Sequence, residues 1–263
     1  MGSSMNDIST YKESSTMLKS IRILFATAAC LATVGAYAAT EVELEPSGID
    51  RDNINSLQRG ARNFMNYCSG CHSAQYVRYN TIGKHLDLSE EQLIDNLMFN
   101  AERTFETIKA SMPAADAARW YGVAPPDMSL IARSKGADHI YNFLKSFYVD
   151  PESPTGVNNT VLAGASMPHV LWELQGYQVA KFEEHTEDGV TTQVFQGFEP
   201  LTEGKLSAED YDKFVRDTVN FLSYIAEPVR DQRRTLGTWV MIYLVIFLIV
   251  ARMLKKQVWK DVK

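Results

Sequence analysis

The amino-acid sequence predicts a mainly α-helical domain with a small β-hairpin insertion, followed by one C-terminal transmembrane helix. Three observations carry this. Apolar residues recur at helical spacing in several separate stretches, most of them opened by a capping residue. Asp188-Gly189, flanked by residues 181–183 and 190–195, is a hairpin signal in otherwise helical surroundings. Residues 236–254 form an apolar run that reaches the ~20 residues a bilayer requires once Arg252 turns outward.

The two ends separate from the domain between them. Residues 17–22 form a basic n-region and residues 23–35 a mostly apolar h-region. Ala36-Tyr37-Ala38 then supplies a small-x-small cleavage pattern. Residues 1–38 therefore read as a leader with a cleaved signal peptide, since the apolar run is short for a retained anchor. The polar stretch before Met17 has no place in such a signal and reads as an upstream mis-called start or a tail without structural consequence. Residues 39–229 form the exported domain, and residues 230–263 the anchor with a short tail.

Charge divides along the same lines. Residues 39–229 carry 15 Lys and Arg against 28 Asp and Glu, a net −13, whereas residues 230–263 carry 8 against 2, a net +6. An acidic domain argues against a nucleic-acid partner and for a basic protein steered to it electrostatically. Trp239 and Trp259 suit the two membrane interfaces. Basic residues after the span (Arg252, Lys255, Lys256, Lys260, Lys263) outnumber those before it (Arg230, Arg233, Arg234), which leaves the tail in the cytoplasm and the domain in the periplasm, anchored in a bacterial inner membrane.

Within the domain, residues 40–52 read as an acidic extended arm. Asp52 can cap a helix over 53–65, whose face carries Ile54, Leu57, Ala61, Phe64 and Met65. Ser89 and Gln92 form a capping box for a helix to about Phe99. Residues 104–118 are helix-prone but interrupted at Pro113, and 138–147 form another amphipathic helix. Residues 150–165 read as a loop. Ser207 caps the last helix of the domain, through Ala226, with Phe214, Val215, Thr218, Phe221, Leu222 and Ile225 on one face, and Pro228 ends it. Packing of the first helix on this last one is expected.

The first helix delivers the chain into Cys68-Ser69-Gly70-Cys71-His72, the attachment pattern of a c-type haem. One helical turn presents both thiols to the same porphyrin edge, where each adds across a vinyl group, and His72 comes under the ring as an axial ligand. A thioredoxin-like dithiol would sit in a βαβ pattern, which is not seen. Structural zinc would require a second close pair of Cys or His. Of the three cysteines, Cys30 lies in the leader, so both mature thiols are consumed by one covalent haem c and none is left for a disulfide. The domain is thus expected to be c-type cytochrome-like.

An electron carrier closes the sixth iron position with Met or His. The candidates are Met65, Met98, Met112, Met128, Met167, His85, His139, His169 and His185. Met65 and Met98 fall on apolar helix faces, where packing is the simpler role. Met112 and Met167 both precede a proline, and Met167 ends a long loop of small residues able to cross the distal face. Residue chemistry gives Met167 a modest lead only.

The chain resembles the cytochrome c1 family over nearly all of its mature length. The residues that carry the likeness are Cys68 to His72 with Tyr76-Val77-Arg78-Tyr79, Ala124-Pro125-Pro126-Asp127-Met128-Ser129-Leu130-Ile131, the Met167 loop, and the single span followed by Lys255-Lys256-Gln257-Val258-Trp259. The resemblance implies haem on Cys68 and Cys71, axial ligands His72 and Met167, and a haem crevice lined by Pro125-Pro126-Asp127. It also implies a basic residue facing the haem propionates, at Lys135 where many members have Arg, with Arg133 nearby. Met167-Pro168-His169 departs from the commoner Met followed by several prolines, which makes His169 a rival ligand, or more simply a surface or hydrogen-bonding histidine. Implied partners are cytochrome b and Rieske iron–sulfur subunits of a respiratory bc1 complex and a basic c-type cytochrome acceptor. No bond chemistry is expected of the isolated chain. The alternative reading is a membrane-anchored monohaem cytochrome feeding a terminal oxidase.

Overall fold

The computed structural model describes residues 44–187 and 190–260, so the leader with Cys30 and the hairpin tip Asp188-Gly189 lie outside the described residues. In chain order the elements are α1 (Ile54–Tyr67), β1 (Ala74–Arg78), α2 (Tyr79–His85), α3 (Glu90–Leu97), β2 (Thr107–Ile108), α4 (Ala114–Tyr121), α5 (Ile131–Ser134), α6 (Ala137–Lys145), β3 (Phe147–Val149), β4 (Val157–Asn159), α7 (Trp172–Gln175), β5 (Gln178–Glu187), β6 (Val190–Pro200), α8 (Ala208–Ala226) and α9 (Arg230–Val258). The strands form three separate antiparallel pairs, β1–β2, β3–β4 and β5–β6.

The core is built on the crossing of α1 and α8. Gly60 makes the close approach possible: a Cβ there would stand 2.0 Å from the Asp217 carbonyl oxygen and 2.7 Å from the Phe221 Cβ. Phe64 and Phe221, both fully buried, pack with ring centroids 5.9 Å apart. Several polar groups along the seam find partners across it, although the buried Asn220 Oδ1 has none among the described residues. The Asp217 carboxylate accepts from Ser56 Oγ at 2.6 Å and from Arg59 Nε and Nη2 at 2.5 and 2.9 Å. Asn63 Nδ2 donates to the Phe214 carbonyl and Thr218 Oγ1, both at 3.2 Å. Such matched polar pairs fix one register, because a shifted helix would leave each of them buried and unpaired.

A second cluster ties the N-terminal arm down. Arg216 donates to the Ser47 carbonyl at 2.5 Å and to Asp212 at 2.6 Å, while Lys145 bridges Asp212 and Glu45 at 2.8 and 3.0 Å. Burial alone would raise the Asp212 pKa, but hydrogen bonds from Lys145, Tyr141 and Arg216 outweigh it and hold the carboxyl well below the usual range.

Several expected elements shift. The cap of α1 is Asn53, which accepts from the Ser56 amide at 3.1 Å, and Ile54 is exposed at the helix start. The capping box of α3 forms as expected, with Ser89 and Gln92 each bonded to the other's backbone amide. Residues 104–118 are not one interrupted helix: Ile108 pairs with Ala74 in β2, and only the part after Pro113 is helical. The loop over 150–165 contains β4, in register with β3 from Phe147↔Asn159 to Val149↔Val157. The hairpin extends well beyond its core, from Gln178↔Pro200 to Glu187↔Val190, with an irregularity at Lys181/Phe182. Ser207 caps α8 and, beyond Pro228, α9 runs 29 residues. Residues 232–258 within α9 are long and apolar enough to cross a membrane.

Gly60→Ala tests the crossing. With a backbone oxygen in the way, the cost should lie at the upper end of the ~1–3 kcal/mol typical of overpacking. That corresponds to a fall in melting temperature of about 6–12 °C. Gly70→Ala, whose added Cβ meets nothing within 4 Å, should leave the melting temperature unchanged.

Candidate haem-binding site

The site starts where α1 ends. The amides of Cys68 and Ser69 both donate to the Phe64 carbonyl at 2.9 Å, so the chain leaves the helix in a tight turn. A second turn follows at once, with the Cys71 and His72 amides donating to the Cys68 carbonyl at 3.1 and 2.8 Å. Ser69 Oγ returns to the Met65 carbonyl at 2.7 Å. Cys68, Cys71 and His72 are therefore gathered on one short, internally bonded segment. Neither cysteine forms a disulfide among the described residues. Burial, with the neighbouring Cys71 adding to it, pushes the Cys68 thiol up to about 12, and burial also raises Cys71, so both keep their protons at neutral pH.

His72 is oriented from a distance of 54 residues. Its Nδ1 lies 2.8 Å from the Pro126 carbonyl oxygen. A carbonyl only accepts, so the ring proton sits on Nδ1 and the lone pair of Nε2 is left for a metal. Burial lowers the His72 pKa, against the Pro126 hydrogen bond and the Asp127 charge, which favours the neutral ring a ligand needs.

The segment carrying Pro126 is clamped to the motif strand. Asp127 accepts from the Gln75 amide at 2.9 Å and from the Ser129 amide at 2.8 Å, and Ser129 Oγ accepts from the Tyr76 amide at 3.1 Å. The Met128 amide donates to the Ser73 carbonyl at 2.7 Å, and Ser73 Oγ accepts from the Ala110 amide at 2.8 Å. The Met112 amide donates to the Gly70 carbonyl at 2.9 Å. Apart from the local Asp127–Ser129 bond, these clamps have no local signature in the sequence, because they join residues tens of positions apart.

Met167 arrives from another direction. Asn159, almost fully buried, donates to the Phe143 carbonyl at 2.8 Å and accepts from the Val161 and Leu162 amides at 2.9 and 3.2 Å, while Asn158 accepts from the Gly164 amide at 2.8 Å. These side chains fold the loop that leads to Met167, which packs half-buried against the same apolar core as Cys68 and Met128. Met65 and Met98 are core residues, as their helix positions suggested.

His169 is not a surface residue. It is 5% exposed, stacks on Phe147 at 5.2 Å between ring centroids, meets Tyr177 edge-on, and its Nε2 has no hydrogen-bond partner among the described residues. Burial pushes its pKa down to about 4, against a backbone contact with Gly176. His85 Nδ1 is taken by the Tyr224 hydroxyl at 2.5 Å. Arg133 and Lys135 are both exposed; the first is felt electrostatically by Glu227 and the second by His139.

Comparison with known proteins bears on this geometry. The model of the Cytochrome C1 family matches residues 48–262. The chain belongs to the cytochrome c1 family. Among its relatives, a cytochrome c1 of Allochromatium vinosum is 43% identical over 242 residues, which are 92% of this chain and 99% of that one. A protein named ammonia monooxygenase gamma subunit from Nitrosomonas europaea is 38% identical over 87% of this chain and 93% of its own. A cytochrome c1 of Rhodospirillum rubrum is 29% identical over 79% of this chain and 82% of its own. Membership brings the role of haem subunit of the bc1 complex in electron transport, and does not favour a cytochrome feeding a terminal oxidase. Haem is the cofactor this family implies, and the donor set fits it: two protonated thiols three residues apart, followed by a neutral imidazole with Nε2 free.

Asp127→Ala probes the clamp. Losing the acceptor for the Gln75 and Ser129 amides should cost about 1.5–3 kcal/mol, as for hydrogen bonds to a charged group. Hydrogen exchange at those two amides should accelerate, and unchanged exchange would show that the clamp does not hold the Pro126 segment.

Proposed function

We propose that the chain is a single-haem electron carrier, with Cys68 and Cys71 each forming a thioether to one haem c and with His72 and Met167 as axial iron ligands. The observation that carries this reading is the His72 Nδ1 bond to the Pro126 carbonyl, which leaves the Nε2 lone pair for a metal. Bound there, the haem supplies reversible one-electron iron chemistry. Each thiol contributes its sulfur and its proton to a vinyl carbon pair, so attachment needs no oxidant. The protein's share is to hold both ligands rigid, to keep the iron in a low-dielectric surrounding and to leave an edge accessible to partners.

Two features support Met167 over its rivals. Met112 is bonded through its amide to Gly70 in the attachment turn itself, whereas Met167 comes from a separate segment of the chain. Met167 lies at the end of a loop shaped by Asn158 and Asn159, close to the core that Cys68 also borders. His169, caged by Phe147 and Tyr177, serves the packing of that loop.

The donor would be a Rieske iron–sulfur subunit and the acceptor a basic c-type cytochrome, in a complex with cytochrome b. Residues 39–229 would form the periplasmic haem domain, residues 1–38 a cleaved leader and residues 230–263 the inner-membrane anchor with its tail in the cytoplasm, in keeping with the basic flank after the span.

Met167→Leu keeps the volume and removes the thioether. The variant should lose any methionine-to-iron charge-transfer band, show a lower potential and bind carbon monoxide when reduced. His169→Ala should lower the melting temperature by emptying the space beside Phe147 and leave the iron spectrum unchanged. The reverse pattern would make His169 the ligand, and silence in both variants would turn attention to Met112. Electron transfer to a basic cytochrome should slow as salt rises, since a net −13 domain steers it and screening sets in beyond ~10 Å at 0.1 M. A salt-independent rate would leave the acidic excess with a solubilising role only.

A further inference from the structure

The segment that orients His72 carries a charge beside the bond it makes. His72 Nδ1 lies 2.8 Å from the Pro126 carbonyl oxygen, and the next residue in the chain is Asp127, partly buried. Its carboxylate is fixed from two sides, with Oδ2 accepting from the Gln75 amide at 2.9 Å and Oδ1 from the Ser129 amide at 2.8 Å. Gln75 follows His72 by three residues, so the carboxylate is tied to the strand that leaves the imidazole. The Asp127 charge is felt at His72, where it favours positive charge on the ring against the effect of burial.

Two consequences follow from ordinary electrostatics. Ferric haem iron carries one positive charge more than ferrous, so a fixed negative charge near the ring that binds it favours the ferric state. A negative charge beside the Pro126 carbonyl also strengthens the hydrogen bond this carbonyl takes from Nδ1, which makes the imidazole a more basic ligand. Both effects lower the reduction potential, whereas a methionine ligand raises it. The neighbouring clamps show that the site can hold an amide without a charge: Ser129 Oγ accepts from the Tyr76 amide and Ser73 Oγ from the Ala110 amide. A carboxylate also offers one oxygen to each of two amides, which a hydroxyl does not, so charge and clamping have to be separated by experiment.

Resting on the reading of His72 as an axial haem ligand, we propose that Asp127 is a positioning residue that sets the haem potential. Acting through His72 and the Pro126 carbonyl, its charge holds the potential below the value that the ligand pair alone gives.

Potentiometric titration of the full chain in its solubilised membrane complex, followed by haem absorbance, separates the two roles. Asp127→Asn removes the charge and keeps one acceptor oxygen. It should shift the equilibrium about 3- to 30-fold toward ferrous haem, a rise of about 30–90 mV at 59 mV per tenfold. Asp127→Glu keeps the charge on a longer arm that disturbs the clamp, and Ser129→Ala removes the Tyr76 tether with the charge intact. Both should stay within about 2-fold of the unmodified chain, even where hydrogen exchange at the Gln75 and Tyr76 amides accelerates. Glu183→Gln, which neutralises an exposed residue of β5, should leave the potential unmoved. An unmoved or lowered potential in Asp127→Asn would overturn the proposal. An equal rise in Asp127→Glu or Ser129→Ala would also overturn it, making clamp geometry the cause, as would an equal rise in Glu183→Gln, making overall charge the cause. Should Asp127→Asn fail to assemble, Gln75→Lys decides: it keeps the backbone amide and adds a cation at an exposed position beside the carboxylate. A raised potential supports the proposal and an unmoved one overturns it. Retention of the unmodified iron spectrum in His72→Ala would overturn the ligand reading, and the proposal with it. Loss of that spectrum in His72→Ala, with an unmoved potential in Asp127→Asn, would overturn the proposal alone.

Discussion

The approach of α1 to α8 at Gly60 is the constraint from which the haem-site geometry follows. Because a Cβ would collide with the Asp217 carbonyl, only glycine lets the two helices come this close, and the closeness brings Phe64 onto Phe221 and Ser56, Arg59 and Asn63 within reach of their partners. Phe64 has a second duty. Its carbonyl accepts the two amides that end α1 and begin the cysteine turn, so the position of the thiols is inherited from the packing of the helix one turn earlier. Fold and site share a residue here, and the burial that stabilises one places the other.

The site solves two electrostatic problems with backbone groups. As the proposed iron ligand, His72 must stay neutral and must not rotate; burial meets the first need and the Pro126 carbonyl the second. That carbonyl is held by its neighbour Asp127, whose carboxylate takes amides from both sides of the contact. Burial raises the pKa of both thiols, so they keep their protons at neutral pH.

Much of this was legible in the sequence where the signal is local. The capping box at Ser89 and Gln92, the cap at Ser207 and the hairpin strands flanking residues 188–189 each depend on residues a few positions apart, and each appears where expected; the cysteine–histidine motif is read from five consecutive residues in the same way. What was not legible depends on distant partners. Residues 104–118 have helical propensity, but pairing of Ile108 with Ala74 overrides it, and strands of two or three residues are too short to show a period. Gly60 looks like a weak helix residue until its neighbour is known. His169 looks like a surface histidine until Phe147 and Tyr177, from either side of it in the chain, close over it. The choice of Met167 came from the family resemblance, not from its spacing.

The chain thus joins a haem-binding fold to a C-terminal helix long and apolar enough to cross a membrane. Covalent attachment of one haem to Cys68 and Cys71 is the proposal on which the rest depends. Intact-mass measurement of the mature polypeptide from its native membrane, under denaturing conditions, tests this most directly. The account predicts the mass of the processed chain plus one haem, with the added mass mapping to the peptide that contains Cys68 and Cys71. A mature chain of bare polypeptide mass, or a haem lost on denaturation, would contradict it.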